Sequence, residues 1–378
     1  MREVDVVVVG GGPAGLAAAI ESARRGLSTC VVERQGGAPD KACGEGLLPA
    51  GLSWLERLGA RHRIDASFTS PFEGIRYLQD DAVAVGRFRH GAGLGIRRIA
   101  LSQALFEAAR AAGVEVHTGA ARFVRQDQEG VVVSVGGEPL KGRVLVAADG
   151  LASPLRKALG LEGTVRGAPR FGLRRHFTGV ESSGFVDVHW SEGLEGYVTP
   201  TGPGRVGVAF LWSRGDGTGD FDAFVRRFPR LSAQLEGATP DSDQRGSGPL
   251  RRQSTGLVSG RCVLLGDAAG YVDAITGEGL SLAFASAAAL GDCLPAAVSG
   301  HLRAFETYAA AHRKLFRAYA LNTHALVWLA AHPRLRAATI RLLSRTPRLF
   351  DAALRMTEAL GPPGGDGPRS DAPSRRAG

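Results

Sequence analysis

The chain has 378 residues, 44% of them hydrophobic and 22% charged, which excludes a wholly disordered protein and allows about two domains. Its net charge is +9, carried mostly by thirteen Arg/Lys against five Asp/Glu from His301 to Gly378, and aromatics are only 7%. Nucleic-acid binding favours a compact basic patch interleaved with stacking aromatics, so nucleic acid is not an expected partner.

Glycine, at 53 residues, is about twice its usual share of ~7%. No G-X-Y period accounts for it, so tight turns and close backbone approaches are the expected cause. Val4 to Val9 reads as a buried parallel strand, Leu16 to Arg25 as a helix and Ser28 to Glu33 as a second strand, a βαβ unit at the N-terminus. Leu101 to Ala112 reads as a helix closed by Gly113, and strands follow at Val114 to His117, Val131 to Val135 and Val144 to Ala147. Phe72 to His90 and Phe171 to Trp212 alternate like strands of an antiparallel sheet. Arg261 to Leu265 returns to the buried parallel type, and Leu280 to Leu294 is a long apolar helix. Residues 301–360 are helical, with Pro333 and Pro347 dividing them into short helices.

The chain thus divides into a discontinuous α/β domain (1–70, 96–165 and 250–300), an antiparallel-sheet domain (71–95 and 166–249), C-terminal helices (301–360) and a tail (361–378) expected to be disordered. The cysteines at 30, 43, 262 and 293 show neither CxxC nor paired-ligand spacing, so no metal site is expected; Cys30 and Cys262 read as buried small hydrophobes. No secretory signal opens the chain, and the uncharged stretches 279–291 and 318–332 fall short of the ~20 residues of a spanning helix. A cytoplasmic location is expected. The basic C-terminal helices read most simply as a solvated surface, with peripheral contact to anionic lipid as the alternative. The oligomeric state stays open.

Three stretches carry chemistry. Gly10-Gly11-Gly12-Pro13-Ala14-Gly15 places GxGxxG between strand and helix, where bare backbone admits a pyrophosphate to the helix N-terminus. Glu33, eighteen residues after Gly15, can accept bonds from a ribose. Asp149-Gly150 with Ser153, Pro154 and Arg156 forms the second stretch. Gly266-Asp267-Ala268-Ala269-Gly270 followed by Thr276-Gly277-Glu278-Gly279-Leu280 forms the third. An aspartate at a parallel strand's end can hold a ribityl chain or pyrophosphate-side hydroxyls.

In this order the three stretches resemble the FAD-dependent oxidoreductases of the p-hydroxybenzoate hydroxylase superfamily, which includes aromatic monooxygenases, flavin-dependent halogenases and geranylgeranyl reductases. The resemblance spans about residues 1–295. It implies a Rossmann-like FAD-binding domain of glutathione-reductase type with an inserted antiparallel substrate sheet and C-terminal helices. It implies that Glu33 binds the adenine-side ribose and Asp267 the ribityl or pyrophosphate region. Arg98, in the pattern Arg98-x-x-Leu101-x-x-x-Leu105, resembles the family arginine directed toward FAD, with Arg97 as its alternate. The implied cofactor set is Gly10, Gly12, Pro13, Ala14, Gly15, Glu33, Arg34, Cys43, Gly44, Arg98, Asp149, Gly150, Asp267, Gly277, Gly279 and Leu280.

Asp40 to Pro49 resembles both the reductases' cysteine-glycine loop and the GESLLP loop of halogenases, and it makes Cys43 and Glu45 the candidate catalytic residues. Cys43 reads somewhat better as a packing cysteine under the flavin than as a reactive thiol, and His90, His176 and His189 as ordinary surface or core histidines. Gly270, where most hydroxylases carry histidine, points toward the reductases. The halogenases' WxWxIP stretch is replaced here by Glu195-Gly196-Tyr197-Val198-Thr199-Pro200, and no lysine lies between Lys41 and Lys141, which argues against halogenation. With no second GxGxxG, NAD(P)H is expected as a transient donor, or a partner reductase delivers electrons. The inward face of the sheet, including Val188, Trp190, Tyr197 and Phe210, is expected to meet a lipophilic substrate, roofed by a stripe of Ala325, Leu326, Leu329 and Ala330. A monooxygenase of a phenolic, quinone-like or polyketide compound is the favoured expectation, and a geranylgeranyl-reductase-like enzyme the alternative.

Overall fold

The computed structural model describes residues 2–215 and 219–362; the expected disordered tail lies outside these apart from Gly361 and Pro362. The β-branched run at the N-terminus forms Arg2–Val9, the centre of a sheet, paired in parallel with Thr29–Glu33 on one side and Glu138–Ala147 on the other. Glu115–Thr118 and Cys262–Leu264 extend it by further parallel pairings. Register brings Val9, Val32, Ala147 and Leu264 level, so the loops after these strands open on one edge. The helices Pro13–Ala23, Arg98–Ala111 and Gly279–Val298 bury their alanines and leucines on one face. By length and composition Gly279–Val298 could cross a membrane, beyond the 279–291 stretch marked in the sequence, but it is packed on the core beside the parallel sheet through Phe284, Leu290 and Leu294.

The second large sheet joins Gly74–Gln79 and Ala82–Arg87 to the strands Arg170–Thr178, Val186–Ser191, Leu194–Gly202 and Arg205–Ser213. It is antiparallel except where Val186–Ser191 runs parallel to Gly74–Gln79. A three-stranded sheet, Gly46–Leu47, Thr69–Phe72 and Gly93–Ile96, lies at the junction of the two expected domains. This sheet is covered on both faces. One face packs on the helices Phe221–Arg226 and Pro229–Gln234 through Phe210, Phe221, Phe224 and Phe228. The other meets the C-terminal helices through Val188, Trp190, Ile340, Leu343 and Phe350. Those helices are one long element, Ala304–Ala330, followed by Pro333–Arg345 and Pro347–Leu354. The prolines divide the region as expected, but the first helix spans 27 residues because no breaker interrupts it.

Candidate active site

The GxGxxG loop needs its glycines for steric reasons. Gly10 has φ +112°, and a Cβ there would sit 2.2 Å from the Ala148 carbonyl oxygen. A Cβ on Gly15 would lie 1.9 Å from the Gly10 carbonyl oxygen, whereas one on Gly12 would meet nothing within 4 Å. Strand, loop and helix are thus pressed together behind Gly10 and Gly15 and left open at Gly12, the N-cap of Pro13–Ala23. An anion can approach the helix amides there. Pro13 begins the helix, and Ala14 packs toward Gly266, where a Cβ would come within 2.7 Å of the Ala14 Cβ.

Glu33 ends its strand buried, accepting the Gly11 N–H at 2.6 Å on Oε2 and the Gln35 N–H at 3.0 Å on Oε1. Each oxygen keeps a lone pair for a ribose hydroxyl. Arg34 is exposed. Asp149 uses both oxygens in its own turn, taking the Ser153 hydroxyl at 2.6 Å and the Leu155 N–H at 3.1 Å. With Gly150 at φ +85° it shapes the strand exit. The fully buried Arg156 then donates to the carbonyls of Ala268 (3.1 Å) and Leu151 (3.0 Å), tying this turn to the Gly266–Gly270 loop.

Asp267 stands among Arg98 and Lys41. Burial pushes its carboxyl above the usual range, and the two cations oppose that shift. Arg98 Nε donates to Ser102 Oγ at 3.3 Å, while Arg97 is engaged elsewhere, with Asp241 at 3.0 Å. Of the two arginines, Arg98 is the one on the Asp267 side. Gly277 (φ +69°), Gly279 and Leu280 form the entry to the Gly279–Val298 helix beside the Tyr271 ring. Between them Glu278 is buried, its Oε2 has no hydrogen-bond partner, and burial pushes its carboxyl up to about 7. Sequence reading passed over Glu278; its signal was a carboxylate inside the glycine-rich helix entry.

Cys43 is half-buried, and its Sγ accepts the Glu45 N–H at 3.4 Å. Gly44 is exposed. Glu45 adopts φ +61°, accepts the Arg98 N–H at 2.8 Å, and meets His176 Nε2 at 2.5 Å, so both its oxygens are engaged within the chain. His176 is thus no ordinary sheet histidine. His189 fits the core expectation, packed edge-on to Phe228, and His90 is exposed.

The expected substrate residues divide. Val188, Trp190 and Tyr197 share the face toward the C-terminal helices and the Tyr271–Ile275 loop. Phe210 pairs with Gly196 rather than Tyr197, which turns it to the opposite face, stacked on Phe228 at 6.0 Å. Alternation was read correctly, but the sheet has two apolar faces and strand phase between neighbours was not visible in sequence. The buried Trp190 Nε1 and Tyr197 Oη have no hydrogen-bond partners. Beside them Arg170 bridges two buried carboxylates, Glu195 at 2.6 Å and Asp273 at 2.8 Å. Of the expected roof stripe, Ala330 is buried in this cluster and Leu326 packs at its edge, whereas Ala325 is exposed. Elsewhere, Cys30, Glu115 and His117 bring ligand-type atoms within 4.8 Å of one another, a grouping that cysteine spacing did not signal.

A parallel sheet with GxGxxG at its first strand end, an acidic second strand end and an aspartate loop at a third defines a dinucleotide-binding flavoprotein fold. A family model described as FAD binding domain matches residues 3–196, and the chain belongs to that family of FAD-dependent oxidoreductases. It is 28% identical over 311 residues to a menaquinone reductase of Mycobacterium tuberculosis, covering 73% of this chain and 72% of that one. To a digeranylgeranylglycerophospholipid reductase of Methanopyrus kandleri it is 28% identical over 308 residues, 74% and 73% of the two chains. A rifampicin monooxygenase of Streptomyces venezuelae is 31% identical over 164 residues, 42% of this chain and 34% of that one. The same fold occurs in a flavoprotein/dehydrogenase from Cytophaga hutchinsonii (TM-score 0.82, 18% identity, 94% and 93% covered).

Proposed function

We propose that the protein is an FAD-dependent reductase that saturates a carbon–carbon double bond of a lipophilic, isoprenoid-bearing substrate such as a prenylated quinone or lipid. The observation that carries the substrate class is the apolar cluster enclosed between the Val188–Trp190–Tyr197 face, the Tyr271–Ile275 loop and the C-terminal helices. Its two unpartnered donors, Trp190 Nε1 and Tyr197 Oη, suit a mostly apolar ligand with an acceptor atom. Toward reduction rather than hydroxylation weighs the extent of similarity: the two reductases align with 73% and 74% of this chain, the monooxygenase with 42%. This reading puts the reductase, the alternative expected from sequence, ahead of the monooxygenase.

In this reading Gly10, Gly12, Pro13, Ala14 and Gly15 hold the pyrophosphate of FAD and Glu33 its adenine-side ribose. Arg98, Asp267, Gly277, Gly279 and Leu280 line the flavin side, and Asp149 and Gly150 act by shaping the neighbouring turn. Bound FAD supplies the two-electron chemistry; the chain binds, orients and excludes water. Tyr271, whose charged and thiol neighbours include Asp267 and Cys43, joins the cofactor loop to the apolar cluster. NAD(P)H is the proposed visiting donor, a partner reductase the alternative. Mass spectrometry of products from geranylgeranyl and prenylquinone substrates tests the reaction: gain of two hydrogens supports it, and gain of one oxygen atom sinks it.

A further inference from the structure

The outer surface of the C-terminal helices carries a repeat that the cofactor site does not use. Leu321, Trp328, Leu335, Leu342, Leu349 and Met356 succeed one another at intervals of seven residues. All six are exposed, between 45% and 70%. From Leu335 onward each is directly preceded by an arginine, Arg334, Arg341, Arg348 and Arg355, and these are exposed as well. Seven residues are close to two helical turns, so members of the repeat within a helix stay near one side. The opposite side is already occupied, because Ile340, Leu343, Phe350 and Leu354 are buried against the sheet. These helices are therefore apolar twice, inward for the fold and outward, where no partner covers the stripe among the described residues. An ordinary surface helix keeps its outer face polar.

We propose that this outer face docks on an anionic lipid bilayer, with the apolar stripe at the headgroup boundary and the arginines on lipid phosphates. Charge decides between the candidate occupants. From Pro333 to Met356 five arginines are exposed (Arg334, Arg341, Arg345, Arg348 and Arg355), a sixth, Arg336, is turned inward to Gln79 and the Ala330 carbonyl, and the one acidic residue, Asp351, accepts the Arg87 backbone N–H. A second copy of the same face would set arginine against arginine, whereas anionic headgroups neutralise them. Arginine stems also lie well along apolar surface while their heads reach the phosphates. The inference rests on exposure, spacing and charge, and not on the reaction proposed above.

Flotation of the FAD-loaded full chain with vesicles tests it, comparing phosphatidylcholine alone with phosphatidylcholine containing phosphatidylglycerol. Binding is expected to the anionic vesicles, much weaker to the neutral ones, and released by high salt. The exposed pair Arg341→Gln with Arg348→Gln should weaken binding about tenfold or more. Leu342→Gln with Leu349→Gln should do the same. FAD content should be unchanged in both. Absence of binding at low salt, or binding that survives both double variants, overturns the proposal. So does a dimer in sedimentation that the leucine variant converts to monomer, because that assigns the face to a second copy.

Discussion

Glu45 and His176, 131 residues apart, meet in the interior with 2.5 Å between Oε2 and Nε2. The pair fastens the loop of Cys43 to the second large sheet. Arg174 Nη1 lies 3.1 Å from His176 Nδ1 and donates to it, and Ser242 Oγ lies 2.9 Å from the same atom, so the ring proton belongs on Nε2, facing Glu45. Arg174 in turn pairs with Asp40 at the start of the loop.

Removing His176 leaves the Glu45 carboxylate buried without its partner. His176→Ala should destabilise the holoenzyme by about 2 kcal/mol, the worth of a buried hydrogen bond to a carboxylate, with His176→Gln retaining part of that. Thermal unfolding checks this; an unchanged melting temperature in His176→Ala would show that the pair contributes nothing.

Asp267→Ala should weaken FAD binding by about tenfold or more, the worth of one charge-assisted hydrogen bond. Cys43→Ala should have little effect, since the Cys43 thiol is seen only as an acceptor for the Glu45 N–H. Flavin fluorescence on dilution reads both dissociation constants. Equal affinity in the Asp267 variant and the parent chain contradicts the assignment.

The two faces of the second large sheet give separable variants. Phe210→Ala removes a fully buried ring from the Phe221–Phe224–Phe228 cluster and should cost about 3–5 kcal/mol, with KM for a lipophilic substrate unchanged. Tyr197→Phe leaves packing intact but removes the unpartnered hydroxyl, so KM or kcat should change while the melting temperature does not.

Burial lowers His189 and His312 from 6.5 to about 4. The unfolded chain takes up these protons as pH falls below 6.5 while the folded chain refuses them, so stability is full above 6.5 and is lost from there toward pH 4. Each histidine accounts for about 3 kcal/mol across that window. His312, beside Ser286 at 3.1 Å, gives the cleaner variant: in His312→Gln the fall of melting temperature between pH 6.5 and 4.5 should be visibly shallower.

Much of the cofactor half was legible in the sequence, because its constraints are local. Gly15 is dictated by the Gly10 carbonyl within one βαβ unit and Glu33 by the end of the next strand, whereas the Ala148 carbonyl that also requires a glycine at position 10 comes from a distant strand. The substrate half was less legible. Phe210 and Tyr197 lie on facing strands, and only the pairing of Gly196 with Phe210 sends them to opposite faces. Glu45 and His176 meet only in the folded chain. Helix-period patterning likewise could not show that Leu342 faces outward while Leu343 is buried, since both neighbours are leucine.

The most direct test reduces the FAD-loaded protein without oxygen and adds a prenylated quinone or geranylgeranyl lipid. The account predicts that the flavin spectrum returns to the oxidised form in a single turnover as a product carrying two added hydrogens appears. A flavin that stays reduced until oxygen is admitted, with an oxygenated product then formed, would contradict it.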